Sequence, residues 1–144
     1  MATTASYSLE DIVSAAPKGN FFFQLYVHKD RPVTESLLRR VWATGIRTIM
    51  VTIDAPVPGK READERVRTA QIISMPMTGT TAMDDKSGSG LTRTTGGFID
   101  SSLTWKDVSW MKKIWKGKLM LKGIQCVEDA KIAAKMGIDG IILR

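Results

Sequence analysis

Polar side chains able to hold and charge-balance a ligand close three apolar runs of this chain. In FFFQLYV (residues 21–27) they are Gln24 and Tyr26; in IMVTIDAP (residues 49–56), Thr52 and Asp54; in LMLKG (residues 119–123), Lys122. Residues two apart on a strand share a face, so the amide and phenol point one way, as do the hydroxyl and carboxylate. Each set stands at or near the C-terminal end of its run, just before a loop, where an α/β barrel keeps its active site. Together they offer hydrogen-bonding groups, one carboxylate and one cation, a set that can orient a polar ligand and stabilise charge on it. Plainer readings exist. Asp54 before Ala-Pro is also a turn former, and Gln24 with Tyr26 is also a satisfied core pair. Lys122 resists such a reading, because a lysine after Leu-Met-Leu is costly to bury without a purpose.

The elements that must position these groups alternate. Ser8, with Asp11 three residues on, has capping-box spacing for a short helix. A buried strand follows over residues 21–27. Thr34 is the expected cap of a helix through residue 44, with Leu37, Leu38, Val41 and Trp42 on one face and Gly45 as terminator. A strand at 47–54 ends before Pro56. Thr104 with Asp107 makes a second capping box, for a helix burying Val108, Met111, Ile114 and Trp115. A strand at 118–122, a helix at 127–136 closed by Gly137, and a strand at 138–143 complete the order. Near-continuous apolar strands separated by helices predict βαβ units and a parallel sheet with both faces covered. No Gly-x-Gly-x-x-Gly follows the first strand, so a dinucleotide-type sheet is the weaker choice. Residues 74–100 break the rhythm: Gly, Ser and Thr dominate without a period, which predicts a flexible loop, either a lid or a tolerated insertion.

Composition excludes little. At 144 residues, 43% apolar and 25% charged, the chain has the make-up of an ordinary globular domain. No apolar stretch approaches the ~20 residues of a membrane span. The start, MATTASYSLEDIV, lacks a basic, apolar signal pattern, and the single cysteine, Cys126, staples nothing. An intracellular protein is expected, with cytoplasmic, peroxisomal and mitochondrial sites equally open. The charge of +6 is spread along the chain, apart from Lys112, Lys113, Lys116 and Lys118. No stacking aromatics interleave it, so no nucleic-acid partner is expected.

Taken in order, FFFQLYVHKDR, VTIDAPVPGKRE, FIDSSLTWKD and LKGIQCVEDA resemble one family, the FMN-dependent 2-hydroxy acid dehydrogenases and oxidases. The resemblance implies an α/β fold, a partial TIM (β/α)8 barrel running roughly from the end of its second strand through its sixth. It makes residues 1–144 one partial domain with a flexible loop at about 74–100. The implied reaction oxidises a small (S)-2-hydroxy acid, of the lactate or glycolate class, to the 2-oxo acid with FMN as cofactor and no metal. By the same resemblance Gln24 and Thr52 contact the flavin, and Lys122 stands at the ring edge where reduction places negative charge. Tyr26 holds the substrate carboxylate or hydroxyl. Asp54 orients and charge-stabilises a catalytic histidine, and Arg61 lies near that histidine and the substrate. Arg61 sits in KREADERVR, however, and a charge-rich segment is also read as a solvated helix face.

The family places its histidine base and a substrate-binding arginine in a Ser-Asn-His-Gly-Gly-Arg stretch directly after the sixth strand. Here that strand is IDGIIL, and Arg144 stands where the serine would be. The sole histidine, His28, occupies a variable family position and is expected to be a surface residue. Ala2 aligns with a flavin-contacting serine, and the phosphate-gripping seventh and eighth strands have no counterpart. The expectation is therefore that this chain alone neither turns over a hydroxy acid nor retains FMN tightly. The alternatives are a non-catalytic fragment or pseudoenzyme, or a subunit that completes its barrel with another chain. Homo-oligomers are expected of a full-length form.

Overall fold

The structure, a computed structural model, describes residues 1–55, 59, 62, 73–77, 80–82 and 96–143. Ser8 caps α1 (Leu9–Ala15): its hydroxyl accepts the Asp11 N–H at 3.1 Å and donates to the Asp11 carboxylate at 2.5 Å. Then come β1 (Phe23–Leu25), α2 (Arg31–Ala43), β2 (Thr48–Thr52), the short β3 (Ile73–Met75) and β4 (Thr80–Ala82), α3 (Trp105–Ile114), β5 (Lys118–Ile124), α4 (Val127–Lys135) and β6 (Gly140–Leu143). The second capping box forms as expected, with Thr104 N–H and Oγ1–H both donating to Asp107 Oδ2 at 2.8 Å.

One helix start differs from expectation. α2 begins at Arg31 with Asp30 as its N-cap, not at Thr34. Pro32 lies in its first turn, where a fixed φ suits the helix and a missing N–H costs nothing. Thr34 is instead buried inside α2, and its hydroxyl accepts the His28 N–H at 3.0 Å.

The main sheet runs β1-β2-β5-β6, every pair parallel. Ala2 forms a further parallel bridge to Gln24; Gln24 N–H donates to Met1 O at 2.8 Å and Thr3 N–H to Gln24 O at 3.0 Å. The spatial order thus follows chain order without a reversal. A doubly wound sheet reverses at a switch point, whereas sequential parallel strands with helical crossovers form one side of a barrel. Phe23, Leu25, Ile49, Val51, Leu119 and Leu121 are all at most 2% exposed, and they join Leu37, Leu38, Val41, Val108, Met111 and Trp115 in one core. The alternate positions Gln24, Met50, Met120 and Lys122 are only half-buried. Strand alternation therefore separates an apolar face, packed into the core, from a face that carries the polar strand ends.

Part of the segment expected as one loop has regular structure. β3 and β4 pair antiparallel, Ile73 opposite Ala82 and Met75 opposite Thr80. Residues 96–98 make a helical turn, and Ile99 pairs antiparallel with His28. The other residues of 74–100 lie outside the described residues, apart from residues 76, 77 and 100.

Candidate functional site

The polar strand ends converge on three adjacent strands. Gln24 Nε2 donates to Thr52 Oγ1 at 2.7 Å, joining β1 to β2, with Thr52 only 3% exposed. Thr52 stands in register with Lys122 on β5. Lys122 Nζ in turn reaches Asp54 Oδ2 at 2.9 Å. The Asp54 side chain is 4% exposed and that of Lys122 25%, so this ion pair is screened far less than one on the surface.

Local backbone geometry makes the second contact possible. The ladder continues past β2, where Ile53 N–H donates to Lys122 O at 2.9 Å. Next to Lys122, Gly123 adopts φ +107°, and the β5–β6 register shifts between Lys122 and Ile124. A Cβ at position 123 would lie 2.5 Å from Asp54 Cβ. Glycine there lets the aspartate-bearing chain approach the lysine-bearing one.

Tyr26 follows β1 directly and shares the face of Gln24 by alternation. Its N–H donates to Thr3 Oγ1 at 3.0 Å, and the Thr3 hydroxyl donates to Gln24 O at 2.7 Å. Thr3 is 1% exposed. Sequence reasoning missed it, because a threonine in a short N-terminal segment carries no signal of its own until the segment pairs with β1. Beyond Tyr26, Asp100 N–H donates to Val27 O and Lys29 N–H to Phe98 O, both at 2.9 Å.

His28 lies in this ladder. It is half-buried rather than a surface residue: its ring stacks on Phe98 at 5.7 Å between centroids, and Nδ1 accepts the Asp30 N–H at 2.9 Å. The imidazole is committed to building the loop. Arg61 lies outside the described residues.

Arg31 was also missed. Its guanidinium meets Asp100 Oδ2 at 2.5 Å and Asp107 Oδ1 at 2.8 Å, donates to His28 O at 3.1 Å, and lies 5.2 Å from the centroid of the Trp110 ring. Both carboxyls are held below the usual carboxylate range. For Asp100 the Ser102 hydroxyl is the main cause, with the Ser102 N–H and Arg31 adding to it against burial. For Asp107 burial is the largest single effect and opposes the shift; the Thr104 N–H and hydroxyl, with Arg31, outweigh it.

A cavity of about 220 Å³ opens beside Thr52, between Ile53, Ala55, Ile99, Asp100 and Leu103. It falls below the ~300 Å³ of ordinary ligand pockets. At the strand ends Gln24 and Thr52 form one hydrogen-bonded pair and Lys122 and Asp54 another, so an amide, a hydroxyl and a cation lie on neighbouring strands, a set able to hold the polar edge of a flat ring that gains negative charge. Among the described residues no group of three or more His, Cys, Asp or Glu side chains is placed to hold a metal ion, and no helix is long and apolar enough to cross a membrane.

Nearly the whole chain is similar to known proteins. L-lactate dehydrogenase (cytochrome) of Saccharomyces cerevisiae is 38% identical over 99% of this chain and 24% of its own length. 2-Hydroxyacid oxidase 2 of Homo sapiens is 39% identical over 99% of this chain and 39% of its own. Among solved structures, a flavocytochrome b2 variant with benzoylformate superposes with a TM-score of 0.76 at 37% identity, covering 99% of this chain and 32% of that one. Mandelate oxidase with (S)-4-hydroxymandelic acid gives 0.82 at 29% identity, covering 97% and 40%. The chain thus spans about a quarter to two-fifths of the length of these relatives. These neighbours are TIM-barrel flavoenzymes, and the sequential parallel strands here form part of such a barrel. With residues 1–143 matching the family of FMN-dependent dehydrogenases, the chain belongs to that family.

Proposed function

We propose that this chain supplies part of the flavin- and substrate-facing rim of an FMN-dependent enzyme that oxidises a small (S)-2-hydroxy acid to the 2-oxo acid. The observation that carries this reading is the joined set Gln24–Thr52 and Lys122–Asp54 at the C-terminal ends of three neighbouring parallel strands. FMN, when bound, supplies the two-electron acceptor. Gln24 and Thr52 hold its polar ring edge, and the Lys122 ammonium stabilises negative charge gathered there. Tyr26 hydrogen-bonds the substrate carboxylate or hydroxyl. Asp54 orients an imidazole base and stabilises it once it carries the substrate proton. Arg61 adds a cation for the substrate in this reading.

His28 is not that base, because its ring is stacked on Phe98 and its Nδ1 is occupied. As residues 1–144 contain no other histidine, the isolated 144-residue polypeptide is expected to show no turnover. Polypeptide from elsewhere, in the same protein or a partner, would bring the base. Homo-oligomeric assembly of the whole protein, at an intracellular site, completes the reading.

The test is anaerobic. The protein at its full length, loaded with FMN, is mixed with lactate or glycolate while the yellow absorbance is followed. Bleaching by either acid supports the reading, and an unchanged spectrum with both acids and with mandelate overturns it.

A further inference from the structure

Tyr26, a proposed substrate contact, lies just past the end of β1, outside a regular strand. Thr3 holds its N–H on one side, and a short antiparallel ladder starts at the very next residue. Val27 O accepts from Asp100, His28 bridges Ile99, and Lys29 N–H donates to Phe98 O. Arg31 clamps that ladder from the side: its guanidinium meets Asp100, whose N–H pairs with Val27, and reaches on to Asp107, in both cases purely as a donor. Asp107 is itself fixed as the reciprocal partner of Thr104 at the start of α3, so the clasp ties the loop after β1 to a helix 76 residues away. Arg31 Nη2 meets both carboxylates while Nη1 donates to His28 O and the plane lies over the Trp110 ring, a spread of contacts that a lysine ammonium does not reproduce.

We propose that Arg31 is a positioning residue for Tyr26. By clamping residues 98–107 against residues 27–31, it sets where the phenol meets the carboxylate of the 2-hydroxy acid. This rests on the substrate role given to Tyr26 above. Arg31 touches neither substrate nor flavin; it acts through the ladder.

The experiment uses the full-length protein loaded with FMN and pyruvate as an unreactive 2-oxo acid probe, read by perturbation of the flavin spectrum. In Arg31→Met the dissociation constant for pyruvate rises about fivefold, the coupling expected of groups in one network. FMN affinity, read by fluorescence quenching, stays within about twofold. Arg31→Lys recovers only part of the loss. With Tyr26→Phe in place, adding Arg31→Met brings little further loss, whereas a merely structural effect would add in full. Equal weakening of FMN and pyruvate binding, or full additivity with Tyr26→Phe, overturns the proposal.

Amide exchange provides the arm that needs no ligand. Arg31→Met deprotects the Lys29 and Asp100 amides while Val51 and Leu121 stay protected. Unchanged protection at Lys29 and Asp100 overturns the clasp. A wild-type protein that takes up no flavin overturns the functional reading of the rim and, with it, the substrate role of the clasp. Deprotection would then show the clasp as a structural anchor alone.

Discussion

Gly123 and Asp54 sit so close that a methyl group at position 123 would lie 2.5 Å from the aspartate Cβ, on a backbone already at φ +107°. Substituting Gly123→Ala therefore meets two penalties, left-handed strain and steric overlap. The expected loss is about 2–4 kcal/mol, above the ~1 kcal/mol expected of Gly45→Ala. Gly45 also has positive φ, 91°, but a methyl group there would meet nothing within 4 Å. Urea unfolding of the two variants measures the difference, which isolates the contact with Asp54 from the backbone strain.

The Gln24–Thr52 bond makes a double-mutant prediction. Gln24→Leu removes the partner of a hydroxyl that is nearly fully buried, costing about 1–3 kcal/mol. Thr52→Val alone strands the Gln24 amide at a half-buried site and costs less. Together the two substitutions should cost less than their sum, because the second removes the group the first left unpaired. Chemical denaturation of all four proteins closes the cycle.

Lys122→Met separates charge from shape at the other joint. The Asp54 carboxylate stays buried while its cation is gone, and stability should fall by about 1–3 kcal/mol, discounted for the part of Lys122 that faces solvent. Salt should weaken the wild-type pair little, since its carboxylate is enclosed. Asp54→Asn in the flavin-loaded full-length protein should slow substrate oxidation by about 10²-fold or more, because an amide cannot stabilise a protonated base. Stopped-flow bleaching measures that loss.

Acid should loosen the Arg31 clasp. The folded-state values of Asp100 and Asp107 lie below their ordinary value, about 3.9 for aspartate. In that window the unfolded chain binds more protons than the folded one, so stability rises with pH. The contribution is complete above about pH 5 and is lost as pH falls through the lowered folded values. Urea midpoints taken from about pH 6 down to about pH 2 should fall less steeply in Arg31→Met, which removes one cause of both shifts.

Much of this was legible in the sequence, for a physical reason. The strands are apolar on both faces except at their ends, so Gln24, Thr52 and Lys122 stood out as polar residues where burial is costly. Two helix starts, the Ser8 cap with Asp11 and the Thr104 capping box with Asp107, were readable because both partners lie within one turn. The start of α2 was misplaced because Pro32 offers a helix start that Thr34 seemed to claim, while the Thr34 hydroxyl was already used by His28. Arg31 and Thr3 were invisible because their partners lie 76 and 21 residues away. Single-sequence spacing carries no information on contacts that only the fold creates. The β3–β4 pair hid in a stretch whose composition signals no period.

The most direct test of the rim is an FMN titration of the full-length protein against its Gln24→Leu and Lys122→Met variants, read by flavin fluorescence. If these side chains face the flavin, each variant should bind FMN about tenfold or more weakly, as expected for losing a hydrogen bond or a charge at the ring edge. Variants that stay folded yet bind FMN as tightly as the wild type would show that the Gln24–Thr52 and Lys122–Asp54 pairs serve the fold and not the cofactor.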